Sequence, residues 1–173
     1  MGRESTSGAP AGLLRRLAAL FYDLLLALAL AFVATFAMLP LTRGEAILAS
    51  TPGLVGHAYH ALIAFVAFAY FGWSWTRGGQ TLGMRAWRIR LESADGRPLR
   101  WPAALARFVL GAATAWLAAL GAWYLRNPGN ALEAGGAAAL VAPLVANFAW
   151  AAFDAAGRTL IDRAVGSRVS MLA

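Results

Sequence analysis

The sequence predicts an all-α membrane protein, a bundle of four transmembrane helices with a short cytoplasmic β-hairpin between the second and third helices. Its hydrophobic content is 60% and its charged content 13%, whereas soluble domains carry roughly 25% charged residues. The apolar residues are gathered into four long runs, and about 20 such residues cross a hydrocarbon core. The basic residues, all of them arginine, stand mostly in connections that would lie on one side of a membrane.

The 173 residues leave room for one domain. Residues 1–12 are small, polar and rich in Gly and Ser, which is typical of a disordered tail. The membrane domain is predicted over residues 13–173. Within it we expect helices at about 16–41, 57–75, 103–125 and 135–153, a hairpin at about 80–101 and a C-terminal tail at 154–173.

The first two helices are predicted from long apolar runs. Leu17–Pro40 follows two arginines and is interrupted by one charge, Asp23. The run is longer than the 7–15 apolar residues of a signal peptide, so we expect it to be retained as a helix. Ala58–Trp75 is uncharged and ends in Tyr70, Trp73 and Trp75, and such amphipathic aromatic residues favour a membrane interface.

The other two helices are predicted in the second half of the chain. Phe108–Leu125 is uncharged and is followed by an arginine. Ala134–Phe153 is a softer run, because it contains Pro143 and Asn147. We expect Asn147 to form a hydrogen bond between helices.

The hairpin is predicted from alternation and a turn. Trp87, Ile89 and Leu91 alternate with arginines, a period of two that indicates a strand. Asp95-Gly96 is a tight-turn signal, and residues 98–101 would return as a second strand. The hairpin could be a lid packed over the helix ends or a surface element resting on anionic headgroups. We favour the second, because arginines beside a membrane are attracted to that surface.

Charge asymmetry predicts the orientation. Basic residues are dense before the first helix, between the second and third helices, and after the fourth, whereas the opposite loops hold only Arg43 and Arg126. Positive charge favours the cytoplasmic side. We therefore expect a multi-pass protein of the inner (plasma) membrane with both termini in the cytoplasm.

A charged cluster is predicted on that side. Arg16 and Asp23 are seven residues apart and share one helix face. Arg107 enters the third helix from the same side, and Asp162 follows the fourth helix. We expect these four residues to form one cluster in which Asp23 pairs with Arg107, because charges inside a membrane are tolerated when paired. The cluster could be a transport or binding site, or it could only staple the helix ends.

Several classes of function are excluded or disfavoured. The chain has no cysteine, so thiolate chemistry and disulfides are excluded. It carries no phosphate-binding loop, zinc-protease motif or nucleophile elbow, and we expect no enzyme, no cofactor and no metal site, including at His57 and His60. The arginines are divided among the connections between apolar runs, so we expect no nucleic-acid partner despite the net charge of +7.

These features, in this order, resemble the RDD family of small bacterial membrane proteins, named for one arginine and two aspartates. The resemblance rests on an arginine and an aspartate in the first helix, on GQTLGMRAWRIRLESADGRPL in the middle and on TLIDRAVGSRVSML at the close. By that resemblance Arg16 is the family arginine, and Asp23 and Asp162 are the aspartates. The family motif positions are Gly79, Thr81, Gly83, Arg163, Gly166 and Val169, and Arg107 resembles a further recurring arginine.

Two functions stay open. The resemblance implies a transporter or a cation/proton exchange component that moves a small cation or other small solute, and four spans would then require a homo-oligomer. Met84 and Ile161 stand where the family usually has Lys and often has His, which weakens proton handling. The alternative is a structural or accessory membrane protein that binds a membrane partner protein. We favour transport at this point, through the resemblance.

Overall fold

A computed structural model describes residues 8–42, 51, 53–127 and 131–172. Four helices of the described chain are long and apolar enough to cross a membrane. In chain order the elements are α1 (Leu13–Met38), α2 (Gly53–Arg77), α3 (Leu82–Ala86), β1 (Ile89–Ser93), α4 (Trp101–Arg126), α5 (Ala131–Phe153), α6 (Leu160–Ala164) and β2 (Ser167–Met171). The mostly helical class and the four long apolar helices are as the sequence predicts.

The long helices pack in the order α1, α2, α4, α5. The α4–α5 contact is close because Gly121 has no side chain, and a Cβ there would collide with the backbone of Ala137. The α2–α4 contact is an aromatic seam in which Phe68 and Phe71 of α2 stack against Phe108 of α4. Over the described residues, α1 and α5 make far fewer contacts than these pairs do.

The well-buried core lies at one end of the bundle, where α1 and α4 begin and α2 and α5 end. We call it the charged end, because Arg16 and Arg107 lie there, near the starts of α1 and α4. Its core joins Trp75 of α2 to Leu91 of β1 and Val169 of β2. Along the rest of the long helices most apolar side chains are exposed, as expected for faces that meet lipid.

The second strand of the predicted hairpin, at residues 98–101, is wrong. β1 pairs in antiparallel fashion with β2, and Leu91 lies opposite Val169. The Asp95-Gly96 turn does form, with Gly96 at φ 77°. The chain after it forms no strand, and α4 begins at Trp101 with a proline in its first turn. A proline is favourable at a helix start and lacks the N–H that a strand needs.

The predicted tails also need correction. Residues 1–7 lie outside the described residues, but the backbone of Ala9 and Ala11 is hydrogen-bonded to β2. Ala11 is buried. The segment after α5 is folded too, because it supplies α6 and β2. Both segments predicted as tails therefore contribute to the charged end.

A short motif occurs twice, once after α2 and once after α5. It reads Gly-x-Thr-Leu-x-x-Arg-Ala at 79–86 and again at 157–164, and 159 minus 81 gives a spacing of 78 residues. In both copies the glycine has positive φ, 69° and 61°, and the threonine caps a five-residue helix. Arg88 and Gly166, each just before its strand, share a left-handed backbone. The two copies therefore fold alike.

The repeat extends to whole halves of the chain. α1 and α4 are 26 residues each, and each is followed by a long helix, a copy of the motif and a five-residue strand. The strands pair symmetrically about Leu91 and Val169. An antiparallel pair of equivalent strands has a local two-fold axis, so the halves meet at the sheet as pseudo-symmetric units.

Candidate functional site

One buried network surrounds the carboxylate of Asp162, which is completely buried. Arg16 donates from Nη1 to Oδ2 over 2.9 Å, and Arg107 donates from Nη1 to Oδ1. Arg16 also donates to the backbone oxygens of Ala11 and Val169. The network thus ties the starts of α1 and α4, which belong to different halves, to α6.

Asp162 is held in place by its own short helix. The Thr159 side chain accepts from the Asp162 amide, and the Asp162 carboxylate accepts from the Thr159 amide at 3.0 Å. This is a capping box, which satisfies two amides that a helix start leaves unpaired. Arg107 also donates to the hydroxyl of Ser167, which lies 3.3 Å from Asp162 Oδ1. Thr159 and Ser167 therefore hold the carboxylate in addition to the two arginines.

The electrostatics of this network favour an ionised Asp162. Burial by itself raises the pKa of its carboxyl. Arg107, the Thr159 amide and Arg16 act in the other direction and outweigh burial, so the pKa is lowered from its ordinary value. Two arginines share one carboxylate, and Arg107 also lies over the ring of Trp75 at 5.6 Å, a contact that favours a cation.

A second network surrounds Asp23, and it contains no arginine among the described residues. Oδ1 accepts from the Tyr70 hydroxyl at 2.8 Å and from the Gly83 amide at 2.9 Å. Oδ2 accepts from the Thr81 hydroxyl. Asp23 is 2% exposed. Its carboxylate therefore binds the start of α3 to the inner face of α1, with Tyr70 of α2 as a third partner.

The predicted Asp23–Arg107 pair is wrong. Arg107 binds Asp162, and Asp23 uses neutral donors instead. Gly83 explains why Asp23 can use a backbone amide in place of an arginine. A Cβ at this position would overlap the carbonyl oxygen of Ala19 and crowd the Asp23 carboxyl. The missing side chain lets α3 approach α1 closely enough for its backbone amide to reach Asp23.

In the second half of the chain a different residue, Asn147, accepts from the start of the short helix. The amide of Ile161, the counterpart of Gly83, donates to Asn147 Oδ1 at 2.9 Å. Asn147 is buried and comes from α5, so its carboxamide joins a long helix to the start of α6. The predicted hydrogen-bonding role of Asn147 is observed, with a backbone amide as the partner.

The remaining motif positions have structural roles. Gly79 and Gly166 adopt left-handed backbone conformations, with φ of 69° and 64°, which glycine favours. Arg163 lies over the ring of Trp150 at 5.4 Å. Residues that our sequence reasoning did not place in the site are Tyr70, Thr159 and Ser167. The repeated Gly-x-Thr-Leu would have indicated Thr159, whereas no spacing indicates Tyr70.

The comparison with known families can now be set beside this geometry. A family model described as the RDD family matches residues 10–166. The chain belongs to the RDD family. The match covers Arg16, Asp23 and Asp162, the arginine and two aspartates assigned by resemblance, and all three are buried at the charged end of this RDD protein. No curated protein and no solved structure gave a significant match.

The two networks can hold elements together, and the hydrogen bonds show how. Asp162 accepts from Arg16 of α1, Arg107 of α4 and the Thr159 amide. Asp23, itself on α1, accepts from Tyr70 of α2, the Thr81 hydroxyl and the Gly83 amide. Among the described residues, no group of three or more His, Asp and Glu side chains is arranged to hold a metal ion. Trp75 Nε1 is buried and has no partner within the described chain. Asp162 is thus held by two ion pairs, whereas Asp23 is held by neutral hydrogen-bond donors.

Proposed function

We propose that this RDD protein is a structural or accessory membrane protein whose Arg/Asp cluster staples the helices. The staple would hold a cap, formed by α3, α6 and the sheet, over one end of the four-helix bundle. A partner protein would bind the helices or this cap. This is the alternative function of the sequence analysis. The geometry of the two carboxylates favours it over transport.

The observation that carries the proposal is the occupation of both aspartates. Asp23 accepts three hydrogen bonds from neutral donors at an exposed fraction of 2%. Asp162 accepts from two arginines and its own helix cap. A carboxylate that couples ion movement must exchange partners during transport. Each aspartate here also accepts from a backbone amide at the start of a short helix, so releasing all its partners would break a bond that holds that helix.

A charged surface supports partner binding at the charged end. Its exposed basic residues are Arg15, Arg77, Arg85, Arg88, Arg97, Arg100 and Arg163. Arg168 is neutralised in part by Glu92 at 2.9 Å. Such a surface attracts acidic partners as well as anionic headgroups.

Transport is the second candidate, and the repeated halves favour it. Several transporter folds are built from two parallel repeats related by an axis along the membrane normal, with the site between the repeats. Asp23 is a carboxylate within a membrane-spanning helix, which is a functional hypothesis by default. A homo-oligomer would be needed to complete a pathway for a small cation or solute.

Flux through reconstituted protein separates these candidates. Purified full-length protein in vesicles should give no proton-coupled flux of the common monovalent cations, because its carboxylates are engaged by the fold. Asp23→Asn, checked for intact folding, is measured beside it. Flux from the wild type that vanishes in the folded variant would overturn the staple proposal and establish a coupling carboxylate.

We also propose that the charged end faces the cytoplasm from the inner membrane, with both described termini on that side. The support is the concentration of exposed arginines at that end, since the positive-inside bias governs short loops. The chain has no cysteine, so single cysteines can report sidedness. Arg97→Cys should resist an impermeant thiol reagent in intact cells and Arg126→Cys should react; the reverse pattern would refute the orientation.

A further inference from the structure

The α1–α5 side of the bundle is the counterpart of a packed seam. In the repeat, α1 corresponds to α4 and α5 corresponds to α2. The aromatic seam between α2 and α4 would therefore have its equivalent between α5 and α1. That equivalent is not packed, because over the described residues α1 and α5 make few contacts.

Side chains at the equivalent positions remain uncovered. Phe71 and Trp75 of α2 become Ala149 and Phe153 of α5 by the 78-residue spacing, and Trp101 and Phe108 of α4 become Leu13 and Leu20 of α1 when the two helix starts are aligned. Leu13 is 41% exposed and Phe153 is 85% exposed. On α5 an alanine, Ala149, stands where α2 has the ring of Phe71. Because α1 and α5 also make few contacts, this apolar side of the bundle is open, and we call it the α1–α5 cleft.

The cleft ends in a basic and aromatic mouth. At the charged end the Arg16–Asp162 ion pair joins α1 to α6, the short helix that follows α5. Next to these two residues in the sequence are two exposed arginines, Arg15 and Arg163. Arg163 lies over the ring of Trp150, which is itself exposed. A guanidinium presents its N–H donors in a planar fork that matches the oxygens of a phosphate.

We propose that the α1–α5 cleft binds an anionic phospholipid, with its acyl chains between the two helices and its headgroup phosphate at Arg15 and Arg163. The apolar walls and the basic mouth match the two ends of such a molecule. A second copy of the chain could cover the apolar walls but would bring no phosphate to the two arginines. The proposal requires a membrane-embedded chain and neither of the functions proposed above.

Native mass spectrometry of the delipidated full-length protein tests this site. We expect one phosphatidylglycerol to bind more tightly than a phosphatidylcholine with the same acyl chains. Arg15→Gln with Arg163→Gln should weaken phosphatidylglycerol binding by about ten-fold, since each arginine near an anionic surface adds a modest attraction. Ala149→Trp, which fills the cleft, should reduce binding of both lipids.

The matched control removes the same charge elsewhere on the charged end. Arg97→Gln with Arg100→Gln alters two exposed arginines outside the cleft and should leave the preference intact. Equal binding of the two lipids, or an equal loss in this control, would overturn the proposal. A dimer that Ala149→Trp dissociates would also overturn it and would assign the cleft to a second copy.

Discussion

Asp162→Asn is expected to lower the free energy of unfolding by about 3–5 kcal/mol, the range for breaking a buried ion pair by removing one partner. The substitution keeps the size of the side chain but leaves Arg16 and Arg107 facing a neutral group. Both arginines are largely buried, with side-chain exposures of 7% and 15%. Denaturant unfolding in detergent, followed by the fluorescence of the 7 tryptophans, measures the loss.

Asp154→Asn is the matched control, because Asp154 also binds an arginine, Arg158, at 3.1 Å. The Arg158 side chain is 39% exposed, and an amide oxygen can still accept from the backbone amides of Ala156 and Arg158, so the loss should be far smaller than that of Asp162→Asn. Lowering the pH protonates Asp162 and so tests the same ion pairs without a mutation. Because the pKa of Asp162 is lowered in the folded state, its stabilisation is complete above the pKa of an unfolded Asp, about 3.9. The stabilisation is then lost as the pH falls through the lower folded pKa. An Asp162→Asn variant as stable as the wild type would contradict the ion-pair staple.

Asp23→Ala is expected to have the second largest effect, about 3 kcal/mol, because each buried donor left without an acceptor costs roughly 1–3 kcal/mol. Tyr70, Thr81 and the Gly83 amide would all lose their acceptor. Asp23→Asn should lose less, since an amide oxygen can still accept from two of these donors. Unfolding measured as above gives both values.

The order of these two variants identifies what Asp23 contributes. Equal losses in Asp23→Asn and Asp23→Ala would mean that the negative charge matters more than hydrogen-bond acceptance, contrary to the geometry. Thr35→Ala on the same helix is the control, because it removes a part-buried hydrogen bond to Tyr59 at 2.7 Å. Its loss should be about 1 kcal/mol.

The parts of the fold that depend on local sequence could be predicted. Each long helix is indicated by its own apolar run, and β1 by the alternation around Ile89 and Leu91. The partner of β1 could not be found in the same way, because β2 lies more than 70 residues along the chain. A turn at Asp95-Gly96 is compatible with a hairpin and with a helix start, and only the tertiary contacts choose between them.

The predicted four-residue cluster is correct for three of its members and wrong for Asp23, which has a network of its own. Arg16, Arg107 and Asp162 do meet, and Asp23 lies at the same end of the bundle. The predicted pairing assumed that a buried carboxylate takes a cation, whereas hydroxyls and backbone amides at a short helix start satisfy Asp23. The duplicated Gly-x-Thr-Leu motif could have been recognised in the sequence. It would have predicted two equivalent short helices.

The Arg16–Asp162 pair joins residues 146 positions apart, which sets an order for biogenesis. At roughly 5–20 residues per second, the ribosome adds Asp162 about 7–30 s after Arg16. During that interval Arg16 and then Arg107 have no carboxylate partner from α6, and each can keep its charge at the interface by extending along its helix. Completion of the charged end therefore follows translation of α6, after all four long helices have been made.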